Sequence, residues 1–175
     1  ILHKMDLIPS FAVDHTNLMP GIYVSRRDKV GGEDVITYDI RMTSPNREPA
    51  LAPAAIHTIE HIVATYLRNN PEWKDKIIYW GPMGCLTGNY LIMKGEYAPE
   101  TMRALMIEAF QYVVDYDDEV PGTTPATCGN YLMHDLPMAK WEAKRYVERL
   151  KNEFVCEYPG VERPLAQGGR VFFDA

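Results

Sequence analysis

Two histidines four residues apart, His57 and His61, bracket a glutamate in the run His57-Thr58-Ile59-Glu60-His61. In a helix, residues four apart sit one turn above each other on one side, so both imidazoles can reach a single ion. Glu60 stands beside them as a group that can move protons. Two neutral ring nitrogens with a nearby base suit a hydrolytic or isomerising metal centre. A lone histidine on an amphipathic helix is most simply a surface or capping residue. A pair at this spacing with an acid next to it points to metal binding.

An ion held by two histidines needs a third donor, and the chain offers three cysteines, Cys85, Cys128 and Cys156. Cys128 lies in Thr127-Cys128-Gly129-Asn130, after Pro121-Gly122 and Pro125. A loop thiolate beside glycine approaches a metal closely and is a strong ligand for zinc or ferrous iron. Cys85 falls in Gly81-Pro82-Met83-Gly84-Cys85-Leu86-Thr87-Gly88, a turn that exposes the sulfur. There it suits acid–base or nucleophilic work, or service as a fourth ligand. Cys156, between Val155 and Glu157, has no such setting and reads as an ordinary thiol.

The elements that must position these groups follow from periodicity. Residues 35–42 alternate, with Ile36, Tyr38, Ile40 and Met42 on one face and Thr37, Asp39 and Arg41 on the other, which predicts a half-buried strand. Gly31-Gly32-Glu33-Asp34 reads as the turn of a hairpin whose other strand is 22–30. A second hairpin is expected from 77–80 and 86–93, joined through 81–85. The two histidines fall in a helix predicted over about 53–70, with Pro53 near its start and Asn69-Asn70-Pro71 at its end. Met102, Leu105, Met106, Ala109, Phe110, Val113 and Val114 mark a helix over 100–114, and a third is expected over about 138–154. Residues 157–175, with Pro159, Gly160, Pro164 and Gly168-Gly169, read as loop-like and draped over a neighbour.

Strand pairs with packed helices predict an α+β architecture, an antiparallel sheet of about four strands against helices, with residues 1–175 as a single domain. A chain of 175 residues has room for one core and little more. Its hydrophobic fraction of 46% and charged fraction of 24% are ordinary for a globular protein. The net charge of -6 excludes a general nucleic-acid grip, which needs a basic face. No apolar run approaches the roughly 20 residues needed to span a bilayer, and the N-terminal residues do not resemble a secretory signal. An odd number of cysteines without C-x-x-C spacing leads to the expectation of a reducing, cytoplasmic setting. The glycines of 81–88 lack both the G-x-G-x-x-G spacing and a Walker lysine, so no phosphate loop is expected.

His57-Thr58-Ile59-Glu60-His61, the turn from Gly81 through Cys85 to Gly88, and Cys128-Gly129 followed by His134-Asp135 together resemble the motif set of S-ribosylhomocysteine lyase, the LuxS family. Ser10-Phe11 with Asp14-His15, Asp39-Ile40-Arg41 and Ser44-Pro45-Asn46 extend the likeness, in order, over residues 10–154. The resemblance implies that His57, His61 and Cys128 hold a metal, ferrous iron with zinc or cobalt able to replace it, leaving one position for water or substrate. It implies that Glu60 and Cys85 are the acid–base pair, and that Ser10, His15, Arg41 and Arg68 contact substrate. It implies a homodimer whose two sites are each built from both chains, Ser10 and Phe11 serving the neighbour's site. The implied reaction releases homocysteine from S-ribosylhomocysteine by carbonyl migration and β-elimination. The other product is 4,5-dihydroxy-2,3-pentanedione, the precursor of the quorum-sensing signal autoinducer-2, and the step serves either that signalling or the recycling of methyl-cycle waste. Tyr79-Trp80-Gly81 departs from the Asp-Ile-Ser that some members carry there, which points to altered contacts at the homocysteine end.

Two other readings share the H-x-x-E-H pattern. An inverted-motif zinc metallopeptidase would use Glu60 to activate water against a peptide. It expects an acidic third ligand far downstream, a larger chain and no reactive cysteine near the metal. A non-catalytic metal-binding domain would close the ion in four protein ligands, with Cys85 as the fourth.

Overall fold

The structure is a computed structural model that describes Asp6 and residues 8–160. The expected loop at 157–175 therefore lies mostly outside the described residues. After a single 3₁₀ turn at Pro9–Phe11, the chain forms β1 (Gly21–Val30) and β2 (Glu33–Arg41) as an antiparallel hairpin. Val30 pairs with Glu33, so the turn is only Gly31-Gly32, tighter than the four residues expected. Both glycines have positive φ, 58° and 85°, the backbone a two-residue hairpin turn demands and one that side chains resist.

Helix α1 (Pro53–Asn69) begins with Pro53 in its first turn. Beyond its end the Asn70 side chain accepts the amides of Glu72 and Trp73, turning the chain toward the sheet again. Strands β3 (Ile77–Pro82) and β4 (Gly88–Lys94) form the second hairpin. β3 runs two residues further than expected, with Gly81 and Pro82 paired to Tyr90 and Asn89. Pro82 is tolerated because β3 is an edge strand, where a missing N–H is no loss. The shift puts Cys85 in the middle of the turn. The sheet order is β1-β2-β4-β3, all antiparallel.

Helices α2 (Pro99–Asp115) and α3 (Leu136–Asn152) complete the fold. Helix α3 starts two residues earlier than expected, because the Asp135 carboxylate accepts the Met138 amide and Pro137 fits the first turn. One core joins the sheet to the helices. Ile22, Ile36, Tyr38, Ile40, Leu91 and Met93 pack with Ile59, Val63, Met106, Phe110 and Tyr146. This bears out the α+β class.

The opposite face of β2 departs from expectation. Alternation assigns Asp39 and Arg41 to solvent, yet they are only 2% and 3% exposed. The segment after α3 is the reason: Val155 accepts the Ile22 amide at the edge of β1, and Tyr158 lies over the outer face, stacked on Tyr23. This stretch of the tail covers its own sheet. No helix among the described residues is long and apolar enough to cross a membrane.

Candidate active site

Helix α1 carries His57 and His61 on one side, as the spacing requires. The loop between α2 and α3 crosses them and sets both rings. His57 Nδ1 lies 2.7 Å from the Met133 carbonyl, and His61 Nδ1 lies 2.7 Å from the Pro121 carbonyl. A carbonyl can only accept, so each Nδ1 carries the proton and each Nε2 is left with a lone pair. This is the arrangement by which outer groups orient a metal-binding imidazole. Gly122 makes room for it. Its φ is 74°, and a Cβ there would stand 3.3 Å from His61 Nδ1.

Cys128 completes a donor set. Its sulfur is 3.5 Å from His57 Nε2 and 3.8 Å from His61 Nε2. Zinc binds sulfur at about 2.3 Å and nitrogen at about 2.0 Å, so two such donors at a tetrahedral angle stand roughly 3.5 Å apart. The spacing therefore fits a transition metal. The Asn130 amide points at the same sulfur from 3.4 Å, a contact that suits a thiolate. The predicted ligands His57, His61 and Cys128 are brought together.

A fourth residue joins them that motif reading did not assign a role. His134 stacks on His57 with ring centres 4.1 Å apart and meets His61 edge-on at 4.8 Å. All four residues offer donor atoms within 4.8 Å of one another. The Thr58 hydroxyl gives its single proton to the Ala54 carbonyl and accepts the Asp135 amide. Its 3.0 Å contact with His134 Nδ1 must then be a bond donated by the ring. His134 Nε2 keeps its lone pair, buried and without a partner among the described residues. Burial, then the neighbouring His57 and His61 rings, hold the His134 pKa down to about 4. An orphaned lone pair beside two metal-type imidazoles is a second sign that the pocket is built for a cation. The hint in the sequence was a histidine six residues past the loop cysteine.

Glu60 is half-buried on α1, between the two ligands in sequence. Cys85 is not one of these four donors. It is exposed in the β3–β4 turn, beside Leu86, whose φ of 60° is the left-handed region that branched residues avoid. Its sulfur is 3.1 Å from the Thr87 hydroxyl and 3.8 Å from Arg41 Nη1. The fourth member of the metal group is thus His134, and Cys85 is held by Arg41 and Thr87.

Arg41 is locked as well as buried. Its Nε and Nη2 donate to the two oxygens of Asp39 at 3.0 and 2.7 Å, and Nη1 donates to Thr87 at 2.8 Å. Burial alone would lower the guanidinium pKa, but the Asp39 charge and hydrogen bond outweigh it and raise it. Gly88 lets β4 approach this point. A Cβ on it would stand 2.3 Å from the Ile40 carbonyl oxygen. The other predicted substrate residues lie elsewhere. Ser10 is in the 3₁₀ turn, and His15 bonds the Val13 carbonyl through Nδ1 at 2.7 Å. Arg68 is exposed in the last turn of α1 and donates to the Ile78 carbonyl at 3.2 Å. It sits about 10 Å of helix rise beyond His61.

The sequence pattern described as S-ribosylhomocysteinase (LuxS) matches residues 8–155. The chain is 63% identical over 146 residues to an S-ribosylhomocysteine lyase of Phocaeicola vulgatus, spanning 83% of this chain and 91% of that one. It is 57% identical over 146 residues to an S-ribosylhomocysteine lyase of Porphyromonas gingivalis, spanning 83% and 92%. With the enzyme of that name from Clostridium acetobutylicum the identity is 48% over 148 residues, spanning 85% and 94%.

Proposed function

The chain belongs to the S-ribosylhomocysteinase (LuxS) family, and we propose that its two polar regions divide one lyase reaction between them. The reaction is cleavage of S-ribosylhomocysteine at its carbon–sulfur bond, releasing homocysteine. The second product is 4,5-dihydroxy-2,3-pentanedione, the autoinducer-2 precursor. The observation that carries this division is the donor geometry. His57 Nε2, His61 Nε2 and Cys128 Sγ stand at metal-ligand spacing, while Cys85 is not part of that donor group and lies beside a buried arginine.

His57, His61 and Cys128 would hold ferrous iron, with zinc or cobalt able to stand in; a bound metal polarises the sugar carbonyl as a Lewis acid. The chain's own groups move the protons. Cys85 takes the proton from C2 and returns it at C1, which moves the carbonyl from C1 to C2. A second transfer of the same kind brings the carbonyl to C3. Glu60 then removes the C4 proton, and the electron pair left behind forms the C4–C5 double bond as the C5–sulfur bond breaks. Homocysteine leaves with that bonding pair as a thiolate, and the enol left at C4–C5 takes a proton at C5 and loses its hydroxyl proton to become the diketone. Each general acid–base group contributes about 10²–10⁴-fold, so neither residue is dispensable. Arg41 binds substrate beside Cys85. Ser10 and His15 lie in an N-terminal segment outside both clusters, which suits service in the site of a partner chain within a homodimer. Arg68 reaches the far end of the same substrate. Three free cysteines suit a cytoplasmic setting, and residues 1–175 act as one domain.

The test is anaerobic, iron-loaded protein assayed for free thiol with S-ribosylhomocysteine, beside a peptide substrate. Homocysteine release with an intact peptide is the expected outcome. Peptide cleavage without thiol release would instead establish a metallopeptidase.

A further inference from the structure

The matched pattern ends at residue 155, and Tyr158 lies three residues beyond it. The segment that carries it is fastened to the sheet just before the tyrosine. Val155 accepts the Ile22 amide at 3.0 Å along the open edge of β1, where Gly21 leaves space that a Cβ would fill, 2.2 Å from the Val155 oxygen. The Tyr158 ring then stacks flat on Tyr23, centres 4.6 Å apart and planes within 6°. This brings the phenol to Asp39 Oδ2 at 2.8 Å, as a donor to a carboxylate that is 2% exposed.

Asp39 is the same carboxylate that receives both prongs of the Arg41 fork. A continuous line of bonds therefore runs from phenol to carboxylate to guanidinium, and from Arg41 Nη1 to Thr87 and the Cys85 sulfur. We propose that Tyr158 is a positioning residue that sets the plane of the Asp39 carboxylate and, through it, the orientation in which Arg41 meets substrate beside Cys85. The inference rests on the reading of Arg41 as a substrate-binding residue.

The physical reason is geometric. A bidentate pair is planar, so the guanidinium plane follows any rotation of the carboxylate about its own bond. Arg41 fixes one edge of that carboxylate, and the phenol fixes Oδ2 from a second direction. Without the phenol, a buried oxygen loses a donor and the carboxylate gains freedom to turn. Tyr158 can serve over the whole working range, because burial, with the Asp39 charge behind it, pushes its phenol pKa far above the ordinary value and keeps the proton in place. The stack on Tyr23 supplies the second restraint, so the ring stays put when only the hydroxyl is removed.

The experiment uses full-length, iron-loaded enzyme and a double-mutant cycle of Tyr158→Phe and Arg41→Lys, with kcat, KM, iron content and thermal midpoint measured for all four proteins. Tyr158→Phe keeps the stack and deletes one hydrogen bond. It is expected to raise KM for S-ribosylhomocysteine about 5- to 10-fold with kcat within about twofold and iron content unchanged. Arg41→Lys is expected to raise KM further, and adding Tyr158→Phe to it should change KM by less than about twofold, because the fork that the phenol orients is gone. An unchanged KM in Tyr158→Phe, or an equal factor in both backgrounds, would show the tyrosine to be a cover and overturn the proposal. If Arg41→Lys itself leaves KM untouched, the substrate role of Arg41 falls and the inference falls with it.

Discussion

The metal corner and the outer face of the sheet are built from opposite materials. The corner gathers lone pairs: two imidazole Nε2 atoms, a sulfur and the orphaned Nε2 of His134, each ring held by an acceptor on its far nitrogen. The sheet face gathers donors around the Asp39 carboxylate, the buried Arg41 fork and the Tyr158 phenol, with the Thr87 hydroxyl accepting from the same arginine. One region is made to be completed by a cation, the other to steady anionic oxygen and a thiol. Cleaving a thioether without redox chemistry needs both, since a carbonyl must be polarised while protons are moved between carbons. The lesson is that the chemistry is split by electrostatic character before any substrate arrives.

The largest expected effect comes from breaking the corner alone. Cys128→Ala removes the only sulfur of the donor set, and iron content is expected to fall at least about 100-fold along with turnover. The sheet face should be unaffected, so near-ultraviolet circular dichroism from Tyr23 and Tyr158 should match the wild type. Retention of the metal would show that His134 or another group carries the site.

These two regions differed in how readable they were. His57 and His61 were legible because helical spacing alone places them together, and Cys128 because a thiol in a glycine-bearing loop has few other uses. The Gly31-Gly32 turn and the alternating strand gave the hairpin and most of the core. His134 escaped because its role depends on Thr58, a residue 76 positions away, which decides the tautomer. The burial of Asp39 and Arg41 escaped because alternation sorts faces and cannot say which face a later segment will cover. Tyr158 lay in a stretch whose prolines and glycines gave no periodic signal. Long-range cover and proton placement are properties of the folded chain.

A smaller effect tests the joint between the regions. Glu48 sits in the connection from β2 to α1 and is gripped by Arg149 and Arg145 of α3. Burial by itself would raise its carboxyl, but bonds from Arg149 and the Ser44 amide outweigh that and hold it at about 2 against an ordinary 4.5. Because the folded value is the lower one, the contribution is complete above about pH 5 and drains away as pH falls toward 2. Glu48→Gln should cost on the order of 2 kcal/mol in denaturant melts at pH 7, and the gap should close as the melts are repeated at lower pH. A gap that stays constant with pH would mean the grip is not electrostatic.

The division of labour itself is tested most directly by Cys85→Ala, measured for bound iron and for homocysteine release on the same sample. Full iron content with turnover lowered at least about 100-fold is the expected pair of results, since a proton carrier is gone while the donor set is untouched. Loss of the metal would make Cys85 a ligand, and homocysteine release at the wild-type rate would remove it from the chemistry; either result would contradict the separation of the two regions.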